Sequence, residues 1–235
     1  MMIIRSLAFV ALFYLWSAAL AILMLPLLLL PRRWMLGAFR FWALGVIWML
    51  GLVCGIRVEL RGREHLPKGR ALIAAKHQCM FDVFAQFIWL RDSCFVMRKE
   101  LMRIPFFGWY AAKAGMIVVD REGGSTALRK LVRDARDRLA DSRELVIFPE
   151  GHRGEPGVAG DYQPGVAGLY RDLGLPACPV ATNSGVHWPA HGFLRRPGVI
   201  VFEFLEPIPA GMKRAEFMRT LEDRIEAASN ALLDL

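Results

Sequence analysis

The stretch Ala71-Leu72-Ile73-Ala74-Ala75-Lys76-His77-Gln78-Cys79-Met80-Phe81-Asp82 decides the fold class, because it passes from strand to helix across a short polar break. Residues 71–75 are a short apolar run of strand length, and an amphipathic helix is expected over 83–90. The same kind of run recurs at 95–97, 116–119, 145–148, 179–182 and 199–205. Helical periodicity recurs between them, at 125–139 and 166–173, and after them at 213–233. Strands alternating with helices predict an α/β fold, a mostly parallel central sheet flanked by helices.

With 235 residues, the chain is one domain, or one domain with an appendage. Its 55% hydrophobic content is high for a globular chain, and the excess lies before Gly55. The net charge of +8 favours an anionic partner: nucleic acid, phospholipid headgroups or a phosphorylated substrate. The helix at 125–139 carries Arg129, Lys130, Arg133, Arg136 and Arg138, but Asp134 and Asp137 interleave at helical spacing, so it reads as a solvated face. No nucleic-acid-binding motif accompanies it, and nucleic acid is set aside. Cys54, Cys79, Cys94 and Cys178 form no CxxC pair, which leaves buried or reduced thiols rather than a zinc site or a disulfide framework. His187 and His191 have Pro189 between them and HExxH is absent, so no metal is expected.

Residues 7–30 carry no charge and match the ~20 apolar residues a helix needs to cross hydrocarbon. A signal peptide cleaved near Ala19-Leu20-Ala21 is the rival, but residues 22–30 are more apolar still and no polar mature sequence follows. A second apolar stretch, 34–56, is interrupted only by Arg40 and carries Trp34, Trp42 and Trp48, which suit an interface. Pro31-Arg32-Arg33 makes the turn between them. The expected organisation is therefore a membrane-embedded helical hairpin over 1–57 and an α/β domain over 58–235. Positive charge sits at every boundary, in Arg5, in Arg32-Arg33 and in Arg57, Arg61 and Arg63. A hairpin dipping into one leaflet satisfies all three, with the domain on the cytoplasmic side of the inner membrane.

Chemistry is expected where strands end. His77 follows a strand and Asp82 lies in the first turns of a helix. Five residues of ideal helix would separate them by about 140°, so His77 must precede the helix, with the loop folding it back toward the carboxylate. Asp82 can then fix the imidazole tautomer while the other nitrogen takes a proton from a hydroxyl. The alternative reading is a satisfied histidine at a sheet edge. Gly115-Met116-Ile117-Val118-Val119-Asp120-Arg121 is a strand ending in a charged pair. Phe148-Pro149-Glu150-Gly151-His152-Arg153 follows an apolar strand with a close-approach glycine and a forked guanidinium suited to phosphate. A further strand ends in Asn183-Ser184-Gly185. Three strands thus deliver polar tips toward one edge.

Together these four blocks, over residues 60–209, resemble the glycerolipid acyltransferase family, most closely the bacterial 1-acyl-sn-glycerol-3-phosphate acyltransferases. The resemblance implies His77 and Asp82 as the catalytic H-x-x-x-x-D pair. It implies Arg121, Glu150, Gly151 and Arg153 as the residues of the substrate-phosphate site, with Glu150 orienting its neighbours. It further implies transfer of a fatty acyl group from acyl-CoA or acyl-carrier protein, as co-substrate, to the free hydroxyl of lysophosphatidate. No other cofactor is expected. Two positions depart from the family pattern: His152 stands where threonine is usual, and Gln163 where lysine is common. Both bear on the acceptor's charge, so another lyso-lipid, such as lyso-ornithine lipid, is the alternative acceptor. A lipid hydrolase and a non-catalytic membrane protein that holds anionic lipid are the readings from other classes. A serine hydrolase is disfavoured, since Ser184 has no G-x-S-x-G elbow.

Overall fold

The computed structural model describes residues 1–120 and 124–234. Helix α1 (Met2–Leu23) is followed by a 3₁₀ turn over Leu25–Leu29, where Pro26 ends the regular helix. Helix α2 (Arg32–Met49) then runs back along it and continues through a π-helical turn, Leu50–Cys54, to Gly55. Arg32 and Arg33 therefore open α2 instead of forming the turn itself. Gly55 adopts φ 69°, a left-handed conformation that lets the chain leave the helix for the sheet.

Seven strands follow: β1 (Ile56–Arg61), β2 (Ala71–Ala75), β3 (Ser93–Arg98), β4 (Ile117–Val119), β5 (Glu144–Ile147), β6 (Ala177–Thr182) and β7 (Gly198–Phe204). Their order in the sheet is β1-β7-β6-β2-β5-β3-β4. β6, β2, β5, β3 and β4 are parallel, whereas β7 is antiparallel to β6 and parallel to β1. The mostly parallel sheet expected from the alternation of elements is present. Helices α3 (Phe81–Trp89), α4 (Phe107–Lys113), α5 (Gly124–Ala140), α6 (Pro164–Leu173), α7 (Ser184–His187) and α8 (Arg214–Ala231) complete the chain.

The sheet separates two apolar layers. On one side Leu131 of α5, Leu169 of α6 and Phe217 and Leu221 of α8 pack against Leu72 and Leu145, with the Tyr170 and Phe217 rings stacked at 3.7 Å. On the other, Phe9 and Phe13 of α1 and Met35 and Val46 of α2 join Ile73, Phe81, Phe84, Trp188 and Phe202 in one cluster. The helical hairpin is thus a packing layer of the α/β body, and its helical part ends at Cys54, just before β1 begins. Arg40, the charge interrupting α2, donates to the carbonyls of Phe87 (3.1 Å) and Leu90 (2.8 Å). It neutralises the negative end of α3 instead of meeting hydrocarbon unpaired.

All four cysteines are buried and free. Burial pushes the Cys178 thiol up to about 11 and also raises Cys79 well above its ordinary value, helped by the Asp82 charge. Only the thiolate reacts. The native protein at pH 8 should therefore resist a maleimide that labels all four cysteines once the chain is unfolded, a contrast read by intact mass.

Candidate active site

β2 delivers the site. Its ladder extends one residue past Ala75, with the Lys76 N–H donating to Val180 O at 2.9 Å, and the chain then leaves the sheet at His77. Asp82, in the first turn of α3 and wholly buried, closes the loop. Its Oδ2 accepts the backbone N–H groups of Gln78 (2.6 Å) and Cys79 (2.7 Å) and faces His77 Nδ1 at 3.1 Å. Its Oδ1 accepts the hydroxyl of Ser184, which opens α7. These backbone bonds turn the loop back and overcome the angular separation a regular helix would impose. An ionised carboxylate only accepts, so the imidazole proton resides on Nδ1 and Nε2 keeps its lone pair. The His77 side chain is 14% exposed, and its ring stacks on Phe148 with centroids 4.1 Å apart.

The backbone of His77 is held on both sides. Its N–H donates to Glu150 Oε2 (3.3 Å) and its carbonyl accepts the Gly154 N–H (2.8 Å). Glu150 is wholly buried, and its Oε1 accepts from Lys76 Nζ (2.7 Å) and the Gly160 N–H (3.2 Å). Both of its oxygens are thus engaged by protein donors, which makes its contribution the orientation of its neighbours. A Cβ at Gly160 would lie 2.8 Å from Glu150 Oε1, so only glycine admits this approach.

Lys76 is also buried, and completes its three bonds on Glu226 (2.7 and 2.9 Å) and Val158 O (3.1 Å). The Tyr162 hydroxyl donates to the same Glu226 at 2.9 Å. Burial, and then the Glu226 charge, push that phenol well above its ordinary value, so it stays a donor.

Arg153 is exposed, with Nη1 donating to Ala190 O at 3.2 Å, and stands one residue from the Gly154 N–H that holds His77. Gly151 turns the chain with φ 73°. His77, Asp82, Glu150 and Gly151 therefore meet at the exits of β2 and β5, and Arg153 lies in the loop that follows, its guanidinium directed to Ala190 O. Arg121 lies outside the described residues. Lys76, Phe148 and Ser184 were not assigned these roles from sequence. A lysine ending an apolar strand was the available signal for Lys76, since a buried ammonium needs a carboxylate.

The arrangement is an oriented imidazole at a strand exit, beside a glycine loop and a guanidinium. A family model described as Acyltransferase matches residues 57–183. The chain belongs to the acyltransferase family. Among curated relatives, the Pseudomonas aeruginosa 1-acyl-sn-glycerol-3-phosphate acyltransferase is 35% identical over 176 residues, covering 73% of this chain and 67% of that protein. The Helicobacter pylori protein of the same name is 37% identical over 104 residues, 44% of this chain and 43% of that one. A crystal structure of the 1-acyl-sn-glycerophosphate acyltransferase PlsC from Thermotoga maritima matches with a TM-score of 0.81 at 21% identity, over 99% of this chain and 98% of that one. That last likeness bears on the fold, hairpin included.

Proposed function

We propose that this acyltransferase moves a fatty acyl group from an acyl thioester, acyl-CoA or acyl-carrier protein, to the free hydroxyl of lysophosphatidate, giving phosphatidate. The observation that carries the chemistry is the His77 Nδ1–Asp82 contact, which leaves Nε2 as the base. The acceptor hydroxyl gives its proton to Nε2 as its oxygen attacks the thioester carbonyl. Asp82 stabilises the imidazolium. The carbon–sulfur bond then breaks, and the thiolate leaves with the proton returned by the imidazolium. The acceptor is itself the nucleophile, so no acyl-enzyme forms. The relatives' names support the acceptor.

Arg153, and Arg121 from its sequence position, serve the acceptor's phosphate. A charge-assisted hydrogen bond is worth roughly 1.5–3 kcal/mol. Arg153→Ala is accordingly expected to raise KM for lysophosphatidate about 10- to 100-fold, with a smaller change in kcat. Initial rates over a range of acceptor concentrations check this.

The reading places the hairpin in one leaflet, with the α/β domain on the cytoplasmic side of the inner membrane, where thioester donors are made. Two observations support it. The domain holds α1 from Ser6, whose Oγ accepts the Arg195 N–H at 2.9 Å, to Ala21, whose carbonyl accepts the Tyr110 hydroxyl. A helix held along its length by a polar domain cannot cross a bilayer without that domain entering it. The outward face of α1 exposes Ile4, Leu7, Leu15 and Ile22, an apolar stripe suited to lipid.

Acceptor and donor are tested together by product mass. Purified protein in detergent is given acyl-CoA or acyl-carrier protein, with lysophosphatidate or lyso-ornithine lipid in turn. Phosphatidate from lysophosphatidate is expected. An acylated product from lyso-ornithine lipid alone would overturn the acceptor assignment.

A further inference from the structure

We propose that residues 101–109 form a second membrane-inserting element, an apolar wedge that seats the β3–β4 edge of the domain in an anionic phospholipid surface. The proposal rests on the reading that the hairpin lies in a leaflet, and adds a contact from a separate part of the chain. Leu101, Ile104, Phe107 and Trp109 are 37%, 47%, 41% and 56% exposed. Single exposed apolar residues are ordinary, but four large ones within nine positions mark an interaction surface.

The wedge is built into the fold. Tyr110 and Ala111, on the inner side of α4, are buried. A Cβ at Gly108 would lie 2.1 Å from Met102 O, so this glycine lets α4 start hard against the preceding 3₁₀ turn, Lys99–Arg103. Between them Phe106 takes φ 63°, ψ −52°, and Phe107 N–H donates to Pro105 O at 2.7 Å. This is a γ-turn of the positive-φ kind, which is strained for a side chain of this size. The turn carries the chain from exposed Ile104 to exposed Phe107, so the strained backbone presents the apolar tip.

Position and charge name the occupant. The Tyr110 hydroxyl donates to Ala21 O near the end of α1, which sets the wedge beside the hairpin tip, where Ile22, Leu23 and Leu29 are exposed. The wedge and the hairpin tip are thus neighbours in the fold. Trp34 and Trp109, both exposed, are the side chains favoured at headgroup depth. Exposed Arg33 and Arg103 flank them and suit anionic headgroups. Two contacts from distant parts of the chain restrain rotation of the domain about the hairpin, which holds the strand exits at a constant height over the leaflet.

The test uses the full chain, with Trp109→Cys carrying an environment-sensitive fluorophore. The native cysteines are buried, so labelling is confined to the new site. On vesicles of phosphatidylethanolamine and phosphatidylglycerol the label should shift to the blue and be quenched by lipids spin-labelled near the headgroup, as should a label at Trp34→Cys. A label at 109 that stays in water while the one at 34 reports lipid would overturn the proposal. Both labels in water would overturn the hairpin reading, and this proposal with it. Independently, Ile104→Ser with Phe107→Ser should lose roughly tenfold or more in vesicle partitioning. Its turnover of a short-chain, soluble lysophosphatidate should be unchanged, which shows that the site stays intact. Undiminished partitioning by that variant would equally overturn the wedge.

Discussion

His77→Ala is expected to lower kcat for lysophosphatidate-dependent thiol release by about 10²–10⁴-fold, the range removed with a general base, while thermal unfolding stays near that of the parent. The bonds that shape the loop run through the His77 backbone, to Glu150 and Gly154, and through Asp82, to the Gln78 and Cys79 N–H groups, so the loop keeps its course without the imidazole. Asp82→Asn should lower kcat on a comparable scale by a different route. The new amide can turn a donor toward Nδ1, which reverses the tautomer and puts the proton on the nitrogen that must accept one. Because Asp82 also binds two loop N–H groups and Ser184, this variant should lose stability as well, whereas His77→Ala should not. Steady-state kinetics beside a melting curve for each variant separates the two effects. A His77→Ala enzyme with ordinary turnover would remove the base from the mechanism.

Lys76→Met should destabilise the fold by about 3–5 kcal/mol, the cost of stripping one partner from a buried ion cluster. For a chain of this size that is roughly 6–20 °C in Tm. The ammonium is 1% exposed and holds Glu150 at 0% and Glu226 at 13%, so its removal leaves adjacent carboxylates without a counter-charge. Neutralising them too, in Lys76→Met with Glu150→Gln and Glu226→Gln, should recover part of the loss, since the desolvated charges are then gone. The single variant should also show a fall in kcat without a matching rise in acceptor KM, because both Glu150 oxygens are engaged by protein donors, one of them the His77 backbone N–H. A melting temperature within a degree of the parent would contradict this role.

Local pattern carried most of the fold. The apolar runs and amphipathic stretches matched six strands and four of the helices to within a few residues, since each element's burial shows in its own periodicity. β1 escaped because it follows a helical apolar run with only Gly55 between them. Yet Ile56-Arg57-Val58-Glu59-Leu60-Arg61 alternates with the period of two that a half-buried strand shows. α4 is one short helix after a strained turn, and too brief to display a helical period. The reversal between β6 and β7 depends on pairing across the sheet, which no local pattern encodes. The same divide runs through the site. His77 and Asp82 are five apart and meet through a local loop, but Lys76 and Glu226 are separated by 150 positions. Ser184 reaches Asp82 from 102 residues away; sequence set it at a polar strand tip but not against the carboxylate.

Direct attack of the acceptor hydroxyl on the thioester, with His77 as the base, is tested by withholding the acceptor. Purified protein is mixed with a long-chain acyl-CoA, free thiol is followed with time, and the protein is weighed intact before and after lysophosphatidate is added. Direct attack gives no thiol and no change in protein mass until the acceptor arrives, then thiol release matched mole for mole by phosphatidate. Thiol release before the acceptor is added would contradict it, whether as steady hydrolysis or as a burst that leaves an acyl group on the protein.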